Sequence, residues 1–539
     1  MSTTPTSKPP SRPARDTARD SAGDTARGAD GLAPQDGPGP HRRPGPVFAI
    51  SVALTIVVVA WGAAAGDSLA TASSGALNWI TSSFGWAYLL GSLAILVVLV
   101  FLAISPYGSL RLGKDEDRPQ FKTRSWIAMI LSAVMGIGLI SYGVAEPVSH
   151  LAAPPHGLAD PMTRDAAVTA MQFSFFDWGL HAWGIFAVMG LAMAWSTYRK
   201  GRPSLVSALL RPILGNRVDG WVGGGIDVFA VFATLFGTTT SLGLGALQIN
   251  AGLGSLFGVP VSTAVQVVII AVITLLFTLS AVSGVAKGIR YLSETSMGLA
   301  SLLLVFIIAV GPSIYLANLL VQSLGRYATQ FFAMSLTTPA DGDLAFMQWW
   351  TYFMLAWWLS WAAFVGVFLA RISRGRTIRQ FILGVLVVPS VVFFVWFTAF
   401  GGTAMHLDLT EGTGIAQAAA NDASSAFFAT LNQFPAAAVT STIAIVLVVL
   451  FFVSGADANT YVLAMLTCRG SERPATWCLV LWGVLTGAAA IALLLAGGLQ
   501  ALQNMAIVSS APFLIIVLAV TAAFLKDLHH EPLPFVERR

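Results

Sequence analysis

Charged side chains are scarce in this chain of 539 residues, since Asp, Glu, Lys and Arg together make up 10% of it. Soluble globular domains carry about 25% of these residues. Hydrophobic residues account for 55% of the chain, and its mean hydropathy is +0.73. The shortage of charge excludes an ordinary soluble protein and predicts a chain that crosses a membrane many times.

Signatures of several other protein classes are also missing. The chain has two cysteines, Cys468 and Cys478, and neither a disulfide framework nor a metal site follows from them. It contains no phosphate-binding loop, nucleophile elbow or zinc-protease motif. The loops are too short for a nucleotide-binding domain, which excludes a primary pump. We therefore expect no enzymatic activity and no cofactor, and the net charge of +4 does not indicate nucleic-acid binding.

Apolar stretches of about 20 residues, long enough to span a bilayer, recur along the chain. They predict an all-α polytopic membrane protein with twelve transmembrane helices. The predicted spans are 47–65, 86–104, 126–147, 168–196, 225–248, 262–284, 297–323, 347–370, 380–402, 436–455, 475–497 and 504–525.

The positions of the basic residues support this topology. If both termini lie in the cytoplasm, every Lys and Arg except Arg164 and Arg326 falls on the cytoplasmic side. This asymmetry is the one that the positive-inside rule describes. We therefore expect a multi-pass protein of the cell inner (plasma) membrane, with both termini cytoplasmic.

Composition divides the chain into three regions. Residues 1–45 are rich in Pro, Ser, Asp and Arg and predict a disordered cytoplasmic tail. Residues 46–525 form the predicted transmembrane domain, and residues 526–539 form a short cytoplasmic C-terminal tail. Within the domain, 324–345 predicts a helix along the outer surface, and 411–433 predicts a short outer helix and loop.

Three tryptophans lie close together in the eighth predicted span: Trp357, Trp358 and Trp361. Aromatic cages hold quaternary ammonium groups through cation–π contacts worth about 0.5–2 kcal/mol each. Tryptophans also form belts at membrane interfaces. The pattern alone leaves both interpretations open.

The fourth predicted span carries a second aromatic group, because helical spacing keeps Trp178, Trp183 and Phe186 within one face. Asp177 stands beside them, and a carboxylate inside a membrane span is by default a functional hypothesis. The alternative is a structural pairing with His181, which follows four residues later.

Glycines interrupt the third predicted span at Gly136 and Gly138. Such glycines favour either close helix packing or local unwinding beside a substrate site. Glu146 marks the outer end of the span and is either a structural cap or a functional acid.

Hydroxyl groups mark the fifth and tenth predicted spans. Thr234 and Thr238 lie one helical turn apart, so their oxygens could bind a hard cation such as Na⁺. Such hydroxyls also commonly bond back to their own helix carbonyls. Ser454 in the tenth span allows the same two interpretations.

Several motifs follow one another in a recognisable order. They are MGIGL (135–139) with EP (146–147), WGLHAW (178–183), ATLFGTTTSLGLGALQI (233–249), SGVAKGIRYLS (283–293), AWWLSW (356–361), FVGVFLARISRGRTIRQF (364–381) and FFVSGAD (451–457). Together they closely resemble the betaine/carnitine/choline transporter (BCCT) family over about residues 47–525.

This resemblance implies a fold of two N-terminal helices followed by a LeuT-like five-plus-five inverted repeat, with homotrimers in many members. It implies a secondary active transporter that imports a betaine-like quaternary ammonium or related compatible solute by Na⁺ symport. A proton-coupled or exchange-type carrier of choline, carnitine or a sulfonium analogue remains an alternative. A membrane receptor or channel is a more distant one, because the short loops offer no signalling domain.

The resemblance also implies roles for particular residues. The aromatic substrate box would be Trp178, Trp183, Phe186 and Trp358, with Trp361 beside it and Met135, Gly136, Gly138 and Asp177 as further substrate-binding candidates. One Na⁺ site would comprise Thr234, Thr238 and Phe364, and a second would comprise Ser132, Met135, Phe451 and Ser454, with Gly455.

Some positions depart from the family pattern. Phe186 replaces a tyrosine that is frequent in sodium-coupled betaine carriers, and Gly455 replaces a serine, which weakens the second Na⁺ site. Gly138 stands where choline-selective members often have Asp, which favours a betaine-like solute, although Asp177 could supply a negative charge from another position. The C-terminal tail is short, which argues against strong osmotic activation.

Overall fold

The computed structural model describes residues 44–134, 136–283 and 286–532, and these ranges are predominantly helical. Their long helices are α1 Pro46–Ala64, α2 Gly66–Ile104, α3 Thr123–Val134, α4 Ile137–Ala152, α5 Arg164–Trp178, α6 Leu180–Ala194, α7 Trp221–Phe257, α8 Thr263–Ser283, α9 Ala286–Val310, α10 Ser313–Leu336, α11 Phe353–Ile372, α12 Ile378–Glu411, α13 Ala437–Thr467 and α14 Thr476–His529. Most of the predicted N-terminal tail and the end of the C-terminal tail lie outside the described residues.

Nine helical segments in the described ranges are long and apolar enough to cross a membrane, or ten if one bent pair counts as a single span. The protein is therefore a polytopic membrane protein. With the bent pair included, the count of ten falls short of the predicted twelve at two places. The third predicted span is divided into α3 and α4, which are both too short to qualify alone, and the last two predicted spans both fall within α14.

Glycines account for the break in α14. Its 54 residues include Gly497 and Gly498, whose backbone angles are not helical, and Gly498 has a φ of 61°. Residues other than glycine rarely adopt such a conformation. Two predicted spans are thus joined by a short kink in place of the predicted loop at 498–503.

The predicted seventh span at 297–323 is wrong as a continuous helix. α9 ends at Val310, and α10 begins at Ser313 after a bend of 108°. Gly311 and Pro312 lie between them, and proline cannot continue a helix because it has no amide hydrogen and clashes with the preceding turn. The surface helix predicted at 324–345 consequently starts earlier, at Ser313. Within 411–433, where the sequence predicted one short helix and a loop, the structure has two short helices, Ile415–Asn421 and Ala426–Leu431.

Burial separates peripheral helices from central ones. In α1, only 17% of the most apolar window is buried within the protein, whereas 94% is buried in the segment from Arg164 to Arg199. Apolar side chains that remain exposed on the peripheral helices, such as Ile56 and Leu275, provide the surface that lipid requires. Among the central helices, α6 packs along α11 and α7 packs along α14.

Ion pairs connect the end of α14 to the basic segment that follows α6. Glu531 accepts hydrogen bonds from Arg199 Nε at 2.5 Å and Lys200 Nζ at 2.7 Å, and Asp527 pairs with Arg202 at 2.6 Å. Partial burial opposes ionisation of Glu531, but the hydrogen bonds from Lys200 and Arg199 hold the pKa of its carboxyl below the usual range. The carboxylate therefore stabilises the folded protein.

We predict that Glu531→Gln lowers the melting temperature of the purified protein at neutral pH, because it removes a charge shared by two cations. A pair of this kind contributes on the order of 1 kcal/mol. Since the folded-state pKa is depressed, the stabilisation is present above the usual value of 4.5 and is lost as the pH falls through the folded pKa. Melting curves of both proteins should therefore converge in acid. Asp219→Asn, at an exposed pair with Arg211, is the control; equal melting temperatures for Glu531→Gln and the parent at neutral pH would refute the assignment.

Candidate binding site

An aromatic cavity of about 120 Å³ lies between the central helices. Its lining comes from α4, α5, α7, α11, α12 and α13, so segments far apart in the sequence build one site. The lining residues are Gly136, Ile137, Gly138, Leu139, Trp178, Thr238, Ser241, Trp357, Trp358, Trp361, Phe364, Phe368, Phe393, Phe451, Phe452, Ser454, Gly455, Ala456 and Ala458.

Tryptophan rings dominate one part of this cavity. The ring centroids of Trp357 and Trp358 are 5.4 Å apart with an angle of 19°, so the two rings stack. Trp178 meets Trp358 nearly edge-on at 4.9 Å and stacks on Phe393 at 5.7 Å. We refer to Trp178, Trp357, Trp358 and Phe393 as the aromatic cage. Its perpendicular and parallel faces form the kind of surface that attracts an organic cation.

Two members of the predicted substrate box stand behind the cage. The ring centroid of Phe186 is 6.0 Å from that of Trp358. The ring centroid of Trp183 is 5.7 Å from those of Phe186 and Phe393. Neither Phe186 nor Trp183 is among the residues that line the cavity. Trp178, Trp358 and Trp361 line it as the resemblance implies. The cage members that the sequence interpretation left out of the substrate site are Trp357 and Phe393. Phe393 lies in the run FFVWF, which reads like any other apolar segment of a membrane span.

Hydrogen bonds of the indole groups hold two of the rings in place. Trp178 Nε1 donates to Glu146 Oε2 at 2.7 Å, and Trp358 Nε1 donates to the backbone carbonyl of Asp177 at 2.8 Å. In contrast, the indole nitrogens of Trp357 and Trp361 are buried and have no acceptor among the described residues. The cavity lining thus includes two tryptophans whose N–H groups can still donate a hydrogen bond.

The start of α4 approaches the cage closely. Gly136 precedes the helix with an extended backbone, and Gly136 to Leu139 line the cavity. A Cβ atom on Gly138 would lie 2.5 Å from Cη2 of Trp178, which is closer than any ordinary contact. Gly138 is therefore required by the position of the tryptophan. Met135 and the side chain of Ser132 lie outside the described residues.

Three residues with hydroxyl groups also line the cavity: Thr238, Ser241 and Ser454. Thr238 Oγ1 donates to the carbonyl of Thr234 at 2.8 Å, and Ser454 Oγ donates to the carbonyl of Phe451 at 3.1 Å. Both side chains thus form the local helix bonds that the sequence left open as an alternative. Thr234 Oγ1, however, is buried with no partner among the described residues. Phe364 lines the cavity close to them.

An asparagine that the sequence interpretation missed lies beside Thr234. Asn459 Nδ2 is 3.5 Å from the carbonyl of Thr234, and Asn459 Oδ1 is buried without a described partner. Two free oxygens in a buried region are suitable ligands for a hard monovalent cation. The sequence signal was an amide four residues beyond the end of the tenth predicted span and five residues after Ser454.

The structure does not form the pairing of Asp177 with His181 that the sequence left open as an alternative. His181 Nε2 lies 3.0 Å from Ser335 Oγ, and the carboxylate of Asp177 has no hydrogen-bond partner in the described chain. The physical reason is a helix break: α5 ends at Trp178 and α6 begins at Leu180, with Gly179 at φ −99° and ψ −132°. Helical spacing therefore does not extend from residue 177 to residue 181. Asp177 does not line the cavity.

Glu146 is neither exposed nor a helix cap. Its side chain is completely buried, and it lies near both Asp177 and His150. Ligand atoms of these three residues are all within 4.8 Å of one another. The sequence interpretation placed Glu146 at a membrane surface because Pro147 follows it, but α4 continues through Pro147 to Ala152.

We predict that Gly138→Ala destabilises the protein, because the new methyl group must displace the Trp178 ring. Overpacking of this kind typically costs about 1–3 kcal/mol. Thermal unfolding of the purified variant, followed by tryptophan fluorescence, measures the effect. Gly75→Ala is the matched control, because a Cβ there has no neighbour within 4 Å. Equal melting temperatures and emission spectra for both variants and the parent would contradict the close approach.

Comparison with known proteins identifies related sequences over almost the whole chain. The family described as "BCCT, betaine/carnitine/choline family transporter" matches residues 46–533. The glycine betaine transporter OpuD of Bacillus subtilis is 46% identical over 490 residues, which cover 90% of this chain and 94% of that protein. The ectoine/hydroxyectoine transporter of Virgibacillus pantothenticus is 40% identical, covering 90% and 96%. The betaine/ectoine transporter LcoP of Corynebacterium glutamicum is 36% identical, covering 91% and 79%.

Proposed function

The chain belongs to the betaine/carnitine/choline family of transporters, and from this premise we propose that it imports a betaine-like zwitterion by Na⁺ symport. As a member of that family it is a transporter and not an enzyme. The proposed solute is glycine betaine or a related compatible solute such as ectoine, in keeping with the names of the relatives.

The aromatic cage is the observation that carries this proposal. None of the described residues lining the cavity bears a charged side chain. A cation entering it would therefore be held by the faces of Trp178, Trp357 and Trp358 and not by a carboxylate. Cation–π attraction suits a trimethylammonium group, which is large, weakly hydrated and unable to donate hydrogen bonds. A solute that carries its own negative charge avoids placing an unbalanced charge in the membrane.

Two features of the cavity support a solute with a carboxylate. The indole N–H groups of Trp357 and Trp361 lack acceptors in the described chain. The N-terminus of the 16-residue helix α4 also reaches the cavity, where its unpaired amides and dipole favour an anion. Broken helices of this kind hold the carboxylates of substrates in other secondary transporters. The cage and these donors would bind opposite ends of one zwitterion.

Sodium is the proposed coupling ion, and Thr234, Thr238 and Phe364 form the proposed site. The free oxygens of Thr234 and Asn459 support it, because a Na⁺ ion needs several oxygen ligands. Phe451 and Ser454 belong to the second proposed site, together with Ser132 and Met135. Gly455 replaces a serine of the family pattern at this second site. A Cβ atom on Gly455 would meet no atom within 4 Å, so the space for a serine side chain is present.

The proposed arrangement of the chain follows the family. The chain has twelve spans if α3 and α4 together form one span, α9 forms one, and each half of α14 forms one. They would form two N-terminal helices and a five-plus-five inverted repeat. The segments that carry most basic residues would face the cytoplasm, with both termini there and the protein in the inner (plasma) membrane. A homotrimer is the proposed assembly.

We predict that Trp358→Ala weakens glycine betaine binding about tenfold, because it removes one face of the cage and about 1–2 kcal/mol of attraction. Isothermal titration calorimetry on the purified protein measures the dissociation constant. Trp221→Ala is the control, since Trp221 is 89% exposed and is not among the residues that line the cavity. An unchanged dissociation constant in a folded Trp358→Ala protein would show that the tryptophans only pack the core.

We predict that replacing both Thr234 and Thr238 by Val abolishes sodium-stimulated uptake in proteoliposomes, because Val keeps the shape and removes the oxygen ligands. Thr239→Val is the matched control, since Thr239 bonds back to Leu235 in the same helix at 2.8 Å. Gradients of Na⁺ and of protons are imposed separately. Uptake by the parent that ignores the Na⁺ gradient would contradict sodium coupling and favour a proton-coupled or exchange-type carrier.

A further inference from the structure

Three ionisable side chains form a buried cluster that the proposed transport cycle does not use. Glu146 and His150 lie one turn apart on α4, and Asp177 lies near the end of α5. Their exposed fractions are 0%, 1% and 2%. None of the three lines the aromatic cavity, but Glu146 accepts the hydrogen bond of the Trp178 indole. The side chains of the cluster therefore contact the cage through the Trp178 ring, and the backbone carbonyl of Asp177 also accepts a hydrogen bond from Trp358.

The cluster has far fewer hydrogen-bond donors than two ionised carboxylates require. Both oxygens of Asp177, Oε1 of Glu146 and Nε2 of His150 are buried without a partner in the described chain. His150 Nε2 is 3.7 Å from Glu146 Oε1, beyond hydrogen-bond distance. An ionised carboxylate is only an acceptor, and leaving it unpaired in a buried site is costly. These unpartnered acceptors favour the binding of a positively charged species by the two acids.

The surrounding elements supply no compensating charge. In the described chain, neither carboxylate forms an ion pair with Lys or Arg. Tyr142 of α4 accepts a hydrogen bond from Gln503, and His181 of α6 is hydrogen-bonded to Ser335. Tyr327 of α10 carries a phenol, which is not a cation. Arg326 of α10 is bound to Asp165 and Thr169, and Asp408 of α12 caps the helix at Ile415.

Two like charges this close in a buried site cannot both persist without a cation. A proton is the smallest ligand that resolves the conflict, and it needs no coordination shell. It would convert one acid into a donor for the other, as in carboxyl pairs that share one proton. A metal ion would require additional ligands, and the neighbouring side chains are aromatic: Phe173, Phe346 and Trp350 surround His150.

We propose that Glu146 and Asp177 form a proton-binding site, with His150 as its third member, and that its occupancy alters solute selection through Trp178. With the proton bound, the pair carries one negative charge; when the proton leaves, a second negative charge stands behind the cage. A net cation such as choline should then gain on a zwitterion as the pH rises. This last step rests on the proposed function, whereas the proton site itself does not.

Infrared difference spectroscopy of the purified protein between about pH 5 and 9 tests the proton site without any solute. The parent should show the carbonyl stretch of a protonated buried carboxylic acid, and both Asp177→Asn and Glu146→Gln should change or remove this band. Asp408→Asn is the control, because Asp408 is buried but its carboxylate accepts hydrogen bonds from Thr413 Oγ1, Ile415 N and Ala416 N. Testing either acid separately keeps the experiment decisive if one variant fails to fold.

A band that both variants leave unchanged, or a parent without such a band, would overturn the site. Stoichiometric binding of a metal ion that depends on Asp177 and Glu146 would also overturn it in favour of a metal. Calorimetry with Na⁺, Mg²⁺ and Zn²⁺ separates this outcome.

The effect on selection is measured by competition between choline and glycine betaine over the same pH range. In the parent, the affinity ratio should move towards choline by at least about fivefold as the pH rises, and Asp177→Asn should flatten this dependence. A flat ratio in the parent would overturn the link through Trp178. If neither solute binds at any pH while the carboxylic acid band is present, the proposed function fails and the proton site stands.

Discussion

The position of one indole ring, that of Trp178, constrains most of the site. Its face forms part of the cage with Trp358 and Phe393, and its nitrogen donates to the buried carboxylate of Glu146. The same ring fills the space above Gly138, so that no side chain fits there. The position of this ring thus affects the packing of the cage, the close approach of α4 at Gly138 and the hydrogen bond to Glu146. A change in any one of them must move the ring or leave a polar group unpaired.

Helix breaks place the polar groups of the site in a membrane interior. α4 begins after the extended Gly136 in the third span, and α5 ends before Gly179, after which α6 begins. Backbone groups freed at such breaks are tolerated in a membrane only where they face protein or a cavity. The break at Gly179 also turns Asp177 away from His181 and towards Glu146. The protein thereby brings an apolar cage and a charged cluster to adjacent positions.

Much of the architecture could be predicted from the sequence, because apolar length and basic asymmetry report directly on membrane crossing. The positions of Trp178, Trp358 and Trp361 in one cavity agree with the resemblance. The failures share a cause: spacing arguments assume an unbroken helix. They misjudged the segment around Gly311 and Pro312, and they left open a pairing of Asp177 with His181 that the break at Gly179 prevents. Phe393 and Asn459 escaped notice, because their roles depend on contacts between helices that no local pattern records.

A structure determined with bound glycine betaine tests the central claim most directly. The account predicts the trimethylammonium group within about 6 Å of the ring centroids of Trp178, Trp357 and Trp358, which is the reach of a cation–π contact. It also predicts the carboxylate near the start of α4 and the indole nitrogens of Trp357 and Trp361. Solute bound elsewhere, or an ammonium group held by a carboxylate and not by the rings, would contradict the account.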